Sequence, residues 1–527
     1  MAGETQTPSG PRANVKMVID GQPHEFPAGL TILEACQQVG ISVPFFCWHP
    51  GLSAPALCRQ CLVEVKGFSK PIPSCYTPAA DKMEIITNSP KVLDVRRQML
   101  EFTLLNHPID CPICDKAGEC MLQKHYFDWD ASLARNDGSK VRKAKVVDVG
   151  RHIVLDQERC ILCSRCIRVC NEVARQPDLV MAFRGDRQLL TTAPGRRLDN
   201  SYSLNTVDVC PVGALTAKDF RFSMRAWELW ATPSVCPGCA TGCNIEIHAA
   251  RDVIRRLVPR LNPAVNKYWM CDEGRLSYAR VHHNRLVAPM IAGVPARWDA
   301  ALGEAARLLG QVRDKLPSIL GVVLSAQMTN EDLFAFSRLA TEHLRTDRVY
   351  LVGAPEGWCD DILVSADKNP NTTGAKLIGG PTLRTAADLK QDLETGVLTA
   401  LLLVGEADAV GPLDSLKILV AVASHQDAPV AAAQVALPLA MWAEVDGTFT
   451  NRQGKVQRLH PAIAPAGQTR SGWEIADRLG QALGSALGYA NAKQVFSETR
   501  DKVTLISGAD WGKSEMSVQL RFANTRG

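Results

Sequence analysis

Sixteen residues of this chain, fifteen cysteines and one histidine, fall into four groups whose spacing would bring ligands to a shared metal centre. Cys47, Cys58, Cys61 and Cys75 follow C-x10-C-x2-C-x13-C. The C-x2-C turn offers two thiolates to adjacent faces of one centre, and the outlying pair closes it from a loop and a strand end, which suits a 2Fe-2S cluster. A zinc ribbon is the alternative, but ribbons usually present two short cysteine knuckles and here there is one. Cys36, beside Leu33 on an apolar helical face, reads as a small core residue.

His107, Cys111, Cys114 and Cys120 form H-x3-C-x2-C-x5-C. Three cysteines leave one iron of a 4Fe-4S cluster open, and a neutral imidazole can replace the missing thiolate while lowering the negative charge of the centre. His49 has no such argument and reads as a bystander. Cys160, Cys163, Cys166 and Cys170 follow the bacterial ferredoxin run, in which the fourth cysteine serves another cluster and precedes proline. Here Asn171 follows Cys170, and the proline-linked cysteine is Cys210 in CPVGAL, so the third set is Cys160, Cys163, Cys166 and Cys210, with Cys170 as the alternative fourth ligand. Cys236, Cys239, Cys243 and Cys271 give C-x2-C-x3-C-x27-C, with Gly238, Gly242 and Gly274 allowing close backbone approach. This fourth site reads as a further 4Fe-4S centre, against a degenerate zinc knuckle.

Four clusters so close along the chain leave little protein between them, so electrons could step from one to the next. No nucleophile and base are paired in the sequence, and no G-x-G-x-x-G fingerprint occurs, which places hydride chemistry on another chain. Gly508 to Ser514 (GADWGKS) imitates a phosphate loop but is one residue too short.

The elements that must position these ligands are legible from periodicity. Residues 15–39 read as strand, turn, strand and helix, and Val92, Val95, Met99, Phe102 and Leu105 mark an amphipathic helix that stops before His107-Pro108. Residues 136–145 are polar and read as a surface loop. Beyond Arg285, helices such as 300–312 alternate with apolar strands at 319–324, 349–352 and 398–404, which implies a parallel, helix-covered sheet.

The 527 residues are enough for several domains. Hydrophobic residues at 46% and charged residues at 22% exclude bulk disorder. A net charge of +4 without a basic block argues against a nucleic-acid partner. Of 18 cysteines only Cys359 lies beyond Cys271, so the two halves differ chemically. The polar start and the lack of any apolar run of 18 residues predict an intracellular chain with no direct membrane insertion, where short cysteine spacings indicate metal sites and not disulfides.

The order of these motifs, with CILCSRC, CPVGAL and CPGCATGC leading to CDEGR, resembles the large iron-sulfur (G) subunits of NADH-quinone oxidoreductase, respiratory complex I. The resemblance covers residues 15 to about 280 motif by motif. It continues less sharply to about 485 through RWDAALGEAARLL (Arg297 to Leu309) and EVDGTFTNRQGKVQR (Glu444 to Arg458), which look like the molybdopterin oxidoreductase superfamily.

The resemblance implies a multidomain α+β and α/β fold. Its parts would be a flexible N-terminus (1–14), a 2Fe-2S ferredoxin-like domain (15–95), a 4Fe-4S segment with one histidine and three cysteine ligands (96–150) and a 4Fe-4S ferredoxin-like domain (151–230). A 4Fe-4S domain of molybdopterin-oxidoreductase type (231–290), a degenerate molybdopterin-oxidoreductase-like α/β domain (291–485) and a C-terminal tail (486–527) would follow. It implies one 2Fe-2S and three 4Fe-4S clusters, the first three sites lying on the route toward quinone and the fourth off it. The activity would belong to the assembled NADH:quinone oxidoreductase, a translocase, with no catalytic site on this chain. Expected partners are a flavin-bearing NADH-oxidising subunit, a 2Fe-2S companion, a 4Fe-4S ferredoxin-like subunit and quinone-side subunits, on the inner face of the plasma membrane.

Two departures argue against bound molybdopterin. Only 42 residues follow Ser485, and after the last cluster cysteine stand Asp272 and Glu273, where pterin enzymes carry a lysine at the second position. The competing functions are a molybdenum or tungsten formate dehydrogenase and the diaphorase subunit of an NAD-linked hydrogenase, the latter disfavoured by residues 290–485.

Overall fold

The structure, a computed structural model, describes residues 14–129, 135, 138–406, 413, 415–503, 509–512 and 518–519. The expected flexible N-terminus, except Asn14, lies outside the described residues, as do Gly508, Lys513 and Ser514 of the GADWGKS segment. Contacts divide the chain into two compact units that meet in sequence at Trp227 and Glu228.

The first unit opens with β1 (Asn14–Ile19) and β2 (Gln22–Pro27), an antiparallel hairpin turning at Asp20 and Gly21, both at positive φ as a tight hairpin turn requires. Helix α1 (Ile32–Gln38) begins at a capping box in which the Thr31 hydroxyl accepts from the Glu34 amide and the Glu34 carboxylate accepts from the Thr31 amide. It buries Ile32, Leu33, Ala35 and Cys36. Strands β3 (Leu62–Val65), β4 (Ile72–Pro73) and β5 (Glu84–Ile86) complete a sheet of order β2-β1-β5-β3-β4, with β5 parallel to β1.

Helix α2 (Pro90–Leu105) starts with Ser89 accepting from the Val92 amide and ends at Asn106, just ahead of His107-Pro108. Helix α3 (Met121–Trp129) follows the second cysteine group. Short strands β6 (Val147–Asp148) and β7 (Ile153–Leu155) lead to α4 (Arg165–Arg168), then come the hairpin β8 (Leu179–Ala182) and β9 (Leu189–Thr192), α5 (Asn205–Val209) and β10 (Leu215–Ala217). β10 pairs with β7 in a sheet of order β10-β7-β6, so the turn at Cys210 is held between a helix and a strand.

The second unit begins with β11 (Trp230–Val235), β12 (Asn244–Ala250) and β13 (Val253–Pro259), an antiparallel meander carrying the fourth cysteine group, with α6 (Asp272–Leu276) after it. Then follow β14 (Met290–Ile291), β15 (Val294–Pro295), α7 (Trp298–Lys315), β16 (Leu320–Ser325), α8 (Asn330–Arg338) and β17 (Val349–Val352). Helices α9 (Thr372–Gly379) and α10 (Ala386–Glu394) precede β18 (Ala400–Val404), β19 (Ile418–Ala423), α11 (Ala428–Ala432) and β20 (Val435–Pro438).

Strands β20, β19, β18, β16 and β17 are parallel neighbours, as the strand-helix alternation predicts, and β14 and β15 add an antiparallel edge. Both faces are covered: Val322, Leu402 and Val420 pack into one core with α7 and α8, and Val323, Leu401 and Leu419 into another with α10. Near-continuous apolar strands are what burial on both faces demands. The mixed α+β and α/β fold is therefore as expected.

The unit closes with the hairpin β21 (Gly447–Thr450) and β22 (Val456–Leu459), α12 (Gly472–Leu483), α13 (Ala492–Lys502) and β23 (Val518–Gln519). The stretch from 486, expected as a tail, is structured where described. Phe496 of α13 and Trp511 share a small core, and β23 pairs with β11. Their buried apolar side chains are the reason.

Candidate metal centres

At the first site Cys47, Cys61 and Cys75 are buried and Cys58 is partly so. Cys47 lies within the loop between α1 and β3, Cys58 and Cys61 end that loop, and Cys75 follows β4. Arg59, between the knuckle cysteines, takes a left-handed φ of 56°. The amides of Phe46 and Cys47 donate to Cys58 Sγ at 3.3 and 3.5 Å. The thiols of Cys47 and Cys58, Cys47 and Cys75, and Cys61 and Cys75 lie within hydrogen-bonding reach. Bonds from Cys58 and Cys75 hold the Cys47 thiol low, and the same crowding pushes Cys75 up. Cys36 is buried on α1 in the hydrophobic core that also takes in Cys61 and Cys75, and none of the four thiols is among the groups that act on it.

His107 stands where α2 stops. Its Nδ1 is buried without a hydrogen-bond partner, and burial, then Lys140 and Arg159, holds the imidazole down to about 4. A neutral ring with an orphaned nitrogen is what a metal ligand looks like before the metal is counted. It lines a cavity of about 560 Å³ with Cys111, Cys114 and Cys120, and burial pushes Cys120 up to about 11. A Cβ on Gly213 would stand 2.1 Å from Cys114 Sγ, so only glycine fits in the CPVGAL turn. His49 lies outside this group, its Nδ1 accepting from the Gly51 amide at 3.1 Å.

At the third site Leu162 and Ser164 take φ of 56° and 62°, a left-handed alternation that turns amides toward the thiols. Cys160, Cys163, Cys166 and Cys210 line one enclosed cavity. Burial pushes Cys160 up to about 12, Cys163 to about 11 and Cys166 well above the usual thiol range. Cys170 is fully buried, but its thiol faces Asp178 and is not part of the cavity wall.

At the fourth site Cys236, Cys239, Cys243 and Cys271 are all buried around an enclosed cavity. Cys271 caps α6, its Sγ accepting from the Gly274 amide at 3.3 Å. A Cβ on Gly274 would reach within 2.8 Å of Cys236 Sγ. Burial, then the neighbouring amide and thiols, leaves Cys271 raised to about 12.

Among the described residues no three His, Cys, Asp or Glu side chains converge on one point as ligands of a single ion would. The second, third and fourth groups instead surround spaces. Buried thiols raised this far ionise only beside a strong positive charge, which iron supplies, so the donor sets fit iron-sulfur clusters.

Three features are absent from the sequence reading. Arg165 and Arg168 bond to the backbone of the first site, as detailed below. Lys368 Nζ lies 3.0 Å from Glu273 Oε2, beside the fourth site. An ammonium therefore does reach Glu273, arriving from a loop 95 residues away. The arginines could have been suspected from charged residues inside a cysteine run, whereas nothing local announces Lys368.

Five families match the chain. Residues 12–90 match the 2Fe-2S iron-sulfur cluster binding domain, 96–130 the NADH-ubiquinone oxidoreductase-G iron-sulfur binding region, and 150–216 the ferredoxin-like domain of NADH-quinone oxidoreductase subunit 3. Residues 230–283 match the molybdopterin oxidoreductase Fe4S4 domain and 367–482 molybdopterin oxidoreductase.

Among curated proteins, the G subunit of NADH-quinone oxidoreductase from Streptomyces coelicolor is 37% identical over 66% of this chain and 43% of its own length. The mitochondrial NADH dehydrogenase [ubiquinone] iron-sulfur protein 1 of Solanum tuberosum is 39% identical over 59% of this chain and 42% of its own length. The NADH-ubiquinone oxidoreductase 75 kDa subunit of Reclinomonas americana is 38% identical over 64% and 49%. The chain thus matches less than half the length of these relatives. A solved NAD+-reducing [NiFe]-hydrogenase chain is similar at 30% identity and a TM-score of 0.37, over 41% of this chain and 92% of that one. The resemblance read from the cysteine motifs is borne out by this kinship with the G and 75 kDa subunits.

Proposed function

We propose that this relative of the large iron-sulfur subunits of NADH-quinone oxidoreductase carries electrons within a respiratory NADH:quinone oxidoreductase, from a flavin-bearing subunit toward the quinone-reducing subunits. The observation that carries the reading is the gathering of the sixteen ligand candidates into four buried or partly buried groups, three of them within one compact unit. Cys47, Cys58, Cys61 and Cys75 would hold a 2Fe-2S cluster. His107 with Cys111, Cys114 and Cys120, Cys160, Cys163 and Cys166 with Cys210, and Cys236, Cys239 and Cys243 with Cys271 would each hold a 4Fe-4S cluster. Such clusters, when bound, take up and release single electrons.

The chain's own residues prepare the sites. Burial shields most of the thiols from water, the amides of Phe46, Cys47 and Gly274 donate to sulfur, and the orphaned His107 nitrogen would supply the neutral ligand. The third site touches both others of its unit. Arg165 links Trp48 to Val209 beside Cys210, and the Pro211 carbonyl accepts from the Met121 amide beside Cys120 at 3.0 Å. These contacts support a continuous path through the unit. The flavin-bearing, 2Fe-2S, ferredoxin-like and quinone-side subunits are the partners in this reading, and the cytoplasmic face of the plasma membrane is the place. No helix among the described residues is long and apolar enough to cross a membrane.

The charges lining the cavity of about 330 Å³ near the fourth site speak against a bound pterin. The cavity's two cations are both engaged, Lys368 with Glu273 at 3.0 Å and Arg280 with Glu406 at 2.8 Å, and Asp332 adds a third carboxylate. An anionic pterin needs free donors there, so this chain would carry no molybdenum or tungsten.

Co-purification with neighbouring subunits and metal analysis test the reading. The expected yield is about 14 iron atoms per chain, the sum of one 2Fe-2S and three 4Fe-4S clusters. Zinc in place of iron, or stoichiometric molybdenum, would overturn it.

A further inference from the structure

Two arginines of α4 are buried without a carboxylate partner. Arg165 is 5% and Arg168 8% exposed. Arg165 donates from Nη2 to the Trp48 carbonyl and from Nη1 to the Val209 carbonyl at 3.1 Å, so one guanidinium joins the residue after Cys47 to the residue before Cys210. Its Nε is buried with no acceptor. Arg168 donates from Nη2 to the Cys47 carbonyl, from Nη1 to the Ser53 carbonyl and from Nε to Ser164 Oγ at 3.3 Å. Every one of these acceptors is neutral. The nearby Glu172 carboxylate is taken by the amide and hydroxyl of Ser53.

A guanidinium stays protonated, so burial cannot be relieved by losing the charge, and an uncompensated buried cation is costly. What faces Arg165 is thiol: Cys163 and Cys210 of the third site and Cys58 of the first. A tetrathiolate cluster carries formal negative charge in each of its redox states, more when reduced.

We infer that Arg165 and Arg168 are shared counter-cations of the first and third centres, holding both reduction potentials up and making the two loops one electrostatic unit. The inference rests on the cluster assignment proposed above and goes beyond it. A fixed positive charge favours the more negative, reduced state of each neighbouring centre, and in a site this dry the attraction is weakly screened. The same charge is a liability when the clusters are missing.

EPR-monitored redox titration of the assembled complex, with wild type, Arg165→Gln, Arg165→Lys and Arg168→Gln compared, tests this. Each Gln variant is expected to move both the first and third centres toward the oxidised form at least tenfold at a fixed poise, a downward shift of about 59 mV for a one-electron couple. Arg165→Lys is expected to keep both close to wild type. A shift confined to one centre, no shift, or equal shifts for Lys and Gln would overturn the inference. If Arg165→Gln assembles no cluster, the cluster-free full chain decides. A higher melting temperature than cluster-free wild type supports an uncompensated charge, and an equal or lower one overturns it. Absence of both signals in wild type would overturn the cluster assignment together with this inference, whereas signals present and unmoved would sink this inference alone.

Discussion

Lys368 and Glu273 meet at 3.0 Å beside the fourth cysteine group, the lysine side chain largely buried and the carboxylate more open. The pair is nearly neutral as it stands, so removing either member leaves one charge beside the centre. Lys368→Gln should make the fourth cluster harder to reduce, by about tenfold at fixed poise, or about 59 mV. Glu273→Gln should shift it the other way. A redox titration of the fourth cluster's EPR signal checks both, and shifts of the same sign would show that the pair acts through structure and not through charge.

The third cavity is lined by Cys210 and not by Cys170. Cys210→Ser should therefore abolish the third cluster's signal. Cys170→Ser should keep it, at a stability cost of about 1–3 kcal/mol for burying a hydroxyl where a thiol sat. Loss of the signal in Cys170→Ser and its retention in Cys210→Ser would reverse the ligand assignment.

A methyl group at residue 213 would collide with the Cys114 sulfur at 2.1 Å. Gly213→Ala is expected to cost about 1–3 kcal/mol through overpacking and to expel the second cluster. Iron would then fall from about 14 to about 10 atoms per chain. Full iron content in a stable variant would mean that the turn yields more readily than its packing suggests.

Glu331 and Asp332, at the start of α8, are buried, and burial is the largest cause of their raised carboxyls, about 8 and about 6. Glu331 accepts from the amide and hydroxyl of Thr448, and Asp332 accepts from the amides of Trp473 and Gly472 and pushes Glu331 further up. Both fold with pKa above the unfolded values of 4.5 and 3.8, so the folded state binds more protons. Their contribution is complete below the unfolded pKa and is lost as pH rises, up to about 6 for Asp332 and about 8 for Glu331. The melting temperature of the second unit should fall across that window, and Glu331→Gln should flatten its upper part. A profile that rises toward pH 8 and is unaltered by the substitution would contradict the burial argument.

What the sequence alone determined is what short-range geometry can carry. Ligands two or three residues apart are placed by one backbone turn, so the grouping of Cys58 with Cys61, or Cys160 with Cys163 and Cys166, is readable without a fold. The helix ending before His107-Pro108 and the parallel strands between residues 320 and 438 follow from proline sterics and apolar periodicity in the same way.

The tertiary structure decided whatever depends on partners remote along the chain. It brought Cys210 and not Cys170 to the third cavity, set Gly213 against Cys114, and laid Arg165 and Arg168 on the carbonyls of Trp48 and Cys47 more than 110 residues away. It also returned an ammonium, Lys368, to the place where Glu273 had argued against one. Spacing says which side chains share a turn, but long-range contacts arise when separate apolar faces are buried against one another, and the side chains they carry together need have no pattern in common.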